Sequence, residues 1–269
     1  MWQRIVDCLG VAVRVRADHA EAAMLAAAVL RSYAETRQDV GLDYELDSSS
    51  EPRLVRDGIE QCRVALPIDL VPAFEIDLYR QLIVLAEGLQ LHAGAIVDSG
   101  GRAIIFAGRS GAGKSTLMRA LLARGLRYLS EEYVALLGDR RCRGLARALN
   151  IEDPTLPVPV GYVSDDYPLP HGTFRMFHPP EHSIWRGDAR ALAVISLDHG
   201  PDAPDEIVPL SSGQAVMALW PAMFGHSPEA LGRLGAAFEG IPLFRLHTRT
   251  PESALDHVLT TARQLGFES

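Results

Sequence analysis

The chain has 269 residues, of which 48% are hydrophobic and 22% are charged, and its formal net charge is −8. This length can bury one large core or two small ones. The negative charge argues against nucleic acid or an anionic membrane as a partner. Three cysteines lie far apart without metal-type spacing, which predicts reduced thiols. Because no signal-peptide core or bilayer-length apolar run stands out, we expect a cytoplasmic protein.

Residues 1–87 predict a small N-terminal α+β region without a catalytic constellation. The alternation in VAVRVRA, residues 11–17, is typical of a half-buried strand, and a helix is expected to follow it from Asp18. Asp57-Gly58 predicts a hairpin turn. A second helix is expected to end at Gly88. Its apolar positions recur at helical spacing: Ile76, Tyr79, Ile83 and Ala86.

The only lysine of the chain, Lys114, lies in GRSGAGKS, residues 108–115, and the rest of the 26 basic side chains are arginines. This stretch matches the phosphate-binding pattern G-x-x-x-x-G-K-[ST] in full. An ammonium is a compact point charge that fits among phosphate oxygens where a planar guanidinium does not. The stretch therefore predicts a phosphate-binding loop, and the alternative is a glycine-rich turn that caps an ordinary helix.

The flanking sequence predicts how this loop is held. LHAGAIV (91–97) and RAIIFAG (102–108) are typical of two strands joined by a tight turn, which makes an antiparallel hairpin. STLMRALLARG (115–125) then predicts a short amphipathic helix whose first amides face the phosphates. Common P-loop folds enter the loop from a parallel βαβ unit, so the hairpin indicates a different member of the class.

Two acidic positions are candidates for metal binding or catalysis. Glu131 and Glu132 interrupt two predicted strands 17 and 18 residues after Lys114, a spacing that can return the chain beside the loop. They could hold magnesium or orient an attacking hydroxyl, although neighbours on a strand face opposite sides unless the chain bends. The alternative is a solvated acidic turn. Asp198, which ends the predicted buried strand ALAVISLD (191–198), is the rival metal ligand.

In this order and spacing, residues 90–137 resemble the HPr kinase/phosphorylase family, in its C-terminal catalytic domain and its shorter bacterial relatives. That family has a histidine before a hairpin, a P-loop, a short helix and an acidic pair that is usually two aspartates. The corresponding residues of this chain are His92, the loop GRSGAGKST and the pair Glu131-Glu132.

The resemblance implies a mixed α/β domain of the HPr kinase and phosphoenolpyruvate carboxykinase type over residues 88–269, with ATP and Mg²⁺ as cofactors. Lys114 would contact the β- and γ-phosphates, and His92 would lie near the transferred phosphoryl group. One glutamate would accept the proton of a substrate hydroxyl, and magnesium would be bound by Ser115 and Glu132, with Glu131 as the alternative. Asp198, which a conventional P-loop protein would use, stays the rival metal ligand. The resemblance implies that the ATP phosphates are bound by Gly108, Arg109, Ser110, Gly111, Ala112, Gly113, Lys114, Ser115 and Thr116.

The resemblance favours a kinase that phosphorylates a serine of a peptide or protein, possible substrates being ribosomally made precursors such as lasso peptides. A free-serine kinase and an ATPase or nucleotide switch remain alternative functions. A homo-oligomeric state, a phosphoryl donor other than ATP and the reverse phosphorylase reaction also remain open. Residues 149–185, rich in proline and histidine, predict a long functional loop or substrate lid. The rest of the C-terminal part predicts packing elements: helices in 211–224, 228–240 and 253–265, and a strand in 241–248.

Overall fold

The computed structural model describes residues 1–109, 111–150, 161–169, 172–200, 204–226 and 228–268. The strands are β1 (Trp2–Cys8), β2 (Val11–Ala17), β3 (Leu42–Asp47), β4 (Arg53–Arg56), β5 (Ile59–Arg63), β6 (Leu89–Val97), β7 (Arg102–Ala107), β8 (Arg127–Ser130), β9 (Tyr133–Gly138), β10 (Arg141–Gly144), β11 (Leu149–Asn150), β12 (Val163–Leu169), β13 (Gly172–His178), β14 (Ala189–His199), β15 (Glu206–Pro209) and β16 (Leu243–Thr248). The helices are α1 (Ala20–Val29), α2 (Leu70–Leu85), α3 (Lys114–Leu122), α4 (Ser212–Leu219), α5 (Pro228–Ala237) and α6 (Pro251–Gln264). None of these helices has the length and apolarity needed to cross a membrane.

The chain divides into two units, and the division differs from the predicted one. The first unit contains Met1–Ala86 and Arg147–Glu181, and the second contains Glu87–Ala146 and His182–Ser269. The boundary after Ala86 lies next to the predicted boundary. Residues 147–181, which the sequence places in the second domain, belong to the first unit, where polar contacts connect them to residues before Ala86. One such contact is the ion pair in which Arg147 donates to Glu75 Oε2 at 3.1 Å.

A five-stranded sheet in the order β1-β2-β3-β4-β5 forms the body of the first unit. β2 and β3 are parallel and are connected through α1, whereas the other neighbours are antiparallel. The predicted strand at 11–17 and the turn at Asp57-Gly58 are confirmed, and both turn residues have positive φ. The helix before Gly88 is also confirmed. The face of this helix that is buried differs from the predicted apolar face, since Ile76 is 53% exposed. The buried residues are Leu70, Val71, Phe74, Leu78 and Leu82.

The prediction of a loop or lid over 149–185 is wrong for the part of that segment that the structure describes. β11, β13 and β12 form a three-stranded antiparallel sheet in that order. Asp166 and Arg175 lie opposite each other, and the guanidinium donates to both carboxylate oxygens at 2.7 Å. Such cross-strand pairing stabilises a hairpin without any hydrophobic alternation that a sequence would reveal. Residues 151–160, 170 and 171 lie outside the described residues.

The second unit contains an eight-stranded mixed sheet in the order β10-β9-β6-β7-β14-β16-β15, with β8 also paired to β6. The predicted hairpin is confirmed, since β6 and β7 are antiparallel. β7, β14 and β16 are parallel neighbours. β10 also pairs with β14, so the hydrogen-bonded path through β9, β6 and β7 closes on itself. The chain is therefore an α/β protein with mixed sheets, as expected.

Alternation along β6 separates the two faces of this sheet. Leu91, Ala93 and Ala95 belong to the apolar core that α4 and α5 cover. Gly94 faces the other side, where an added Cβ would lie 3.2 Å from Met118 of α3. Because alternate residues of a strand face opposite sides, His92 shares the α3 face with Gly94. The loop 108–113 joins the end of β7 to this helix.

Candidate functional site

The glycine-rich loop, residues 108–113, follows β7 and precedes α3, as predicted. Gly111 and Gly113 have φ values of 80° and 86°, and a Cβ on either would meet no atom within 4 Å. These glycines are therefore required by the backbone conformation and not by lack of space. At Gly108 the requirement is space, because a Cβ would lie 3.1 Å from Ala112 Cβ and 3.2 Å from Leu197 O. Ser110 lies outside the described residues.

Lys114 is folded back into the loop. Its side chain is largely buried, and Nζ donates to Gly108 O at 2.7 Å and to Arg109 O at 3.1 Å. Burial lowers the pKa of the ammonium below its usual range, and the negative charges of Glu132 and Glu131 oppose this shift. The ammonium therefore lies at the start of the loop, and both glutamates are close enough to act on it.

The two glutamates lie at a bend between β8 and β9, both of which pair with β6. Ser130 lies opposite Ala95 and Tyr133 lies opposite His92. Ser130 Oγ donates to Tyr133 O at 2.8 Å and accepts from Tyr133 N at 3.1 Å, which fixes the bend. The bend thus interrupts the regular alternation of the strands at the two glutamates.

His92 contacts this pair from β6. Its Nε2 atom lies 3.1 Å from Glu132 Oε1, and both side chains are partly exposed. Phe224 lies beside them: its ring stacks on Tyr133 with centroids 4.6 Å apart and lies 6.1 Å from the ring of His92. The backbone N–H of Phe224 donates to Gln90 O at 3.0 Å, which anchors the aromatic residue to β6. Sequence reasoning missed Phe224, because nothing in its local pattern distinguishes it from a packing residue.

Asp198 lies on β14, the parallel neighbour of β7. It is near the end of β14, its side chain is 61% exposed, and Oδ2 lies 3.2 Å from His247 Nδ1. It lines a cavity of about 490 Å³ together with Gly108 and Arg109. Its charge is not among those that shift the pKa of Lys114. Glu132, Glu131 and Asp198 therefore all stay predictions as the metal ligand.

The residues around the loop suit an anionic phosphate and its metal. Ser115 and Thr116 lie in the first turn of α3, where backbone N–H groups and the helix dipole favour negative charge. Mg²⁺ at nucleotide sites is usually bound by one or two carboxylates together with substrate phosphates. Glu131, Glu132 and the Ser115 hydroxyl are oxygen donors of this kind. Within the described residues, no group of three or more His, Cys, Asp and Glu side chains is arranged to hold a metal ion.

No protein-family model matches the sequence, and no curated protein matches it. Among solved structures, the fold is similar to the Hpr(Ser) kinase/phosphatase from Coxiella burnetii. The similarity covers 66% of this chain and 91% of that chain, with 14% sequence identity and a TM-score of 0.32.

Proposed function

We propose that this protein is an ATP- and Mg²⁺-dependent phosphotransferase that transfers the γ-phosphoryl group to a serine hydroxyl of a peptide or protein. A ribosomally made precursor peptide, such as that of a lasso peptide, is one substrate of this kind. The observation that carries the proposal is the position of Lys114, the only lysine: its Nζ atom donates to Gly108 O and Arg109 O within a loop that has the phosphate-binding pattern. The contact between His92 and Glu132 on the neighbouring strands supports it.

In this proposal, the Lys114 ammonium exchanges its hydrogen bonds to two loop carbonyls for bonds to the β- and γ-phosphate oxygens. This exchange leaves no uncompensated buried charge, because the phosphates replace the carbonyls as acceptors. Bound magnesium supplies charge neutralisation of the phosphates. The first turn of α3 offers N–H groups and the Ser115 hydroxyl, so positioning and electrostatics account for most of the catalysis.

The two glutamates take the two remaining roles, proton acceptor and metal ligand. Glu132, held by His92 at 3.1 Å, accepts the proton of the acceptor hydroxyl or binds the metal, and Glu131 takes the other role. The imidazole N–H of His92 fixes the direction of the Glu132 carboxylate, as a base is commonly oriented by a second group. Phe224 packs beside this pair and limits water at the point where the hydroxyl would approach.

The proposal can be tested by mass spectrometry of candidate acceptors after incubation with the protein, Mg²⁺ and ATP. The acceptors are peptides encoded beside the gene and free serine. A phosphoryl-sized mass gain on a peptide serine supports the proposal, provided that it is lost in Glu131→Gln or Glu132→Gln and kept in the matched exposed variant Glu239→Gln. A mass gain on free serine alone would indicate a small-molecule kinase instead of a peptide kinase. Steady ATP hydrolysis without any phosphorylated acceptor would indicate an ATPase.

The same assay tests the rival metal ligand. Asp198→Asn should leave the dependence of the rate on Mg²⁺ concentration unchanged, since the proposal assigns the metal to one of the two glutamates. If Asp198→Asn instead raises the Mg²⁺ requirement while Glu132→Gln does not, the metal assignment moves to the β14 side of the loop.

A further inference from the structure

Arginine side chains collect at one end of the eight-stranded sheet, where β7 and β14 begin. Arg190 of β14 lies opposite Arg102 on β7 and opposite Arg141 on β10. The residue that follows each of these arginines belongs to the apolar core, and the three are Ala103, Ala191 and Cys142. Because alternate residues of a strand face opposite sides, the three arginines share the face of the sheet that points away from this core.

Trp185 connects these arginines to a further one on β8. Its ring lies against the turn between β6 and β7, where a Cβ added to Gly101 would be 3.1 Å from Trp185 Cζ2. Gly101 O in turn accepts from Arg190 N at 2.8 Å. The guanidinium of Arg127, which begins β8, lies 5.5 Å from the centroid of the Trp185 ring, a cation–π contact. We name this surface the arginine–tryptophan patch, with the members Arg102, Arg127, Arg141, Arg143, Trp185 and Arg190.

Carboxylates balance only part of the positive charge of the patch. Asp188 accepts from Arg141 at 3.2 Å and from Arg143 at 2.7 Å. Among the residues that the structure describes, Arg127 and Arg190 form no ion pair. Arg190 also has a like charge opposite it on antiparallel β10, an arrangement that destabilises a sheet. An anion bound at the patch would therefore complete the ion pairs and relieve this repulsion.

The charges around the patch suit a short acidic segment better than a nucleic acid. Asp98 and Glu268 pair with Arg102, and Asp188 accepts from two of the other arginines. The whole chain carries a net charge of −8. A long phosphate backbone would be repelled by this net charge. A segment rich in Asp and Glu can instead place its carboxylates on Arg127 and Arg190 alone.

We propose that the arginine–tryptophan patch is a docking surface for an acidic segment of a peptide or protein partner. Arginine binds carboxylates through two parallel N–H groups, and tryptophan and arginine are the side chains that contribute most at protein interfaces. β7 has six residues and runs from the patch to the glycine-rich loop, so the two are about 20 Å apart. The docking surface therefore does not depend on the proposed function.

The test is the binding of a fluorescein-labelled oligoglutamate peptide to the full chain, followed by fluorescence anisotropy, with oligoglutamine of the same length as the uncharged control. We expect the double variant Arg127→Gln, Arg190→Gln to weaken oligoglutamate binding by at least about tenfold, since arginines of this kind dominate binding at interfaces. Arg233→Gln, which removes an exposed arginine of α5, should bind as the wild type does. Equal affinities of the two variants, no binding of oligoglutamate, or equal binding of oligoglutamine would each overturn the docking surface.

Hydrogen exchange on the unaltered chain keeps the test decisive if the double variant fails to fold. Bound oligoglutamate should protect amides in residues 98–102 and 184–191. Protection confined to the glycine-rich loop, residues 108–113, would assign the acidic peptide to the phosphate-binding loop and overturn the proposal.

Two controls separate the acidic partner from other occupants and from the proposed function. Tighter binding of oligothymidylate than of oligoglutamate, or self-association of the chain that the double variant abolishes, would assign the patch to a nucleic acid or to a second copy and overturn the proposal. Binding of Mg·ATP should be the same in the wild type and the double variant. A double variant that loses Mg·ATP as well as oligoglutamate would overturn the separation of the two sites.

Discussion

His92 Nε2 lies 3.1 Å from Glu132 Oε1, a contact that connects β6 to the bend between β8 and β9. The backbone supports this contact, because Ala93 N donates to Glu132 O at 3.2 Å. The side chain and the backbone of Glu132 are therefore each held by β6 before any substrate binds, which is the kind of pre-organisation that a catalytic base or metal ligand requires.

Replacement of Glu132 by Gln keeps its size and removes its charge. We expect phosphoryl transfer to fall by about 10²- to 10⁴-fold if this carboxylate is the base, the range typical of general acid–base catalysis. His92→Gln retains an N–H donor and should keep more activity than His92→Leu, as expected of a residue that positions Glu132. Single-turnover transfer rates measure both effects. Equal rates in the two His92 variants would contradict the positioning role.

Lys114→Arg keeps the positive charge and changes its shape. We expect the variant to remain folded and to lose about 10²- to 10³-fold in turnover, the loss typical when one transition-state donor is removed. A planar guanidinium does not fit the cup formed by the Gly108 and Arg109 carbonyls, which lie 2.7 and 3.1 Å from Nζ. Steady-state kinetics and circular dichroism provide the check, with exposed Arg124→Lys as the reverse exchange. Near-normal turnover in Lys114→Arg would contradict the role of Lys114 as the ligand of the β- and γ-phosphates.

Gly144→Ala should destabilise the second unit. The added Cβ would lie 2.6 Å from Leu129 O, 2.7 Å from Leu129 Cγ and 2.8 Å from Ser130 Cβ. Leu129 and Ser130 directly precede the acidic pair. We expect the free energy of unfolding to fall by about 2 kcal/mol or more, because backbone must move to admit the methyl group. Gly200→Ala is the control, since its Cβ would meet nothing within 4 Å. Denaturant unfolding that shows equal stability for the two variants would refute the predicted clash.

The buried His178 should make the stability of the first unit fall at acid pH. Its Nδ1 atom lies 2.9 Å from Ser32 Oγ and its Nε2 atom lies 3.2 Å from Asp165 Oδ2. Burial lowers the pKa of His178 from 6.5 to about 4; Asp165 opposes this shift and Arg31 adds to it. Between these two values the unfolded chain binds more protons than the folded chain, so stability falls as the pH falls.

We expect a loss of at most about 3 kcal/mol in the free energy of unfolding between pH 6.5 and 4 from this histidine. His178→Asn should flatten the slope of stability against pH in this window. Exposed His182→Asn should leave it unchanged. Urea unfolding at several pH values measures the slopes, and identical slopes for the wild type and His178→Asn would show that His178 is not the cause.

Local signals in the sequence were enough to predict the centre of the second unit. The glycine spacing, the hairpin of β6 and β7, the helix α3 and the interrupted strands around Glu131 are each encoded within a few residues. The bend at the two glutamates was not predictable, because it depends on Ser130 bonding to the backbone of Tyr133.

Long-range pairing limited the other predictions. β12 and β13 are held by cross-strand contacts, such as the Asp166–Arg175 pair, and by contacts to distant residues, such as Ser32. The composition of the wider segment 149–185, which is rich in proline and histidine, indicated a loop instead. Phe224 was missed for the same reason: it follows a turn after α4, and only the fold places it beside Tyr133 and His92.

Because Lys114 is the only lysine of the sequence, its side chain is a single-site chemical reporter of the loop. No other side chain of the protein carries a primary amine, so a reagent that acylates lysine can modify only this position and the terminal amine. Its lowered pKa makes the neutral, nucleophilic amine accessible at a lower pH than in an ordinary lysine. Occupancy of the loop can therefore be followed as protection of one residue from acylation, without a label, a radioactive donor or knowledge of the acceptor.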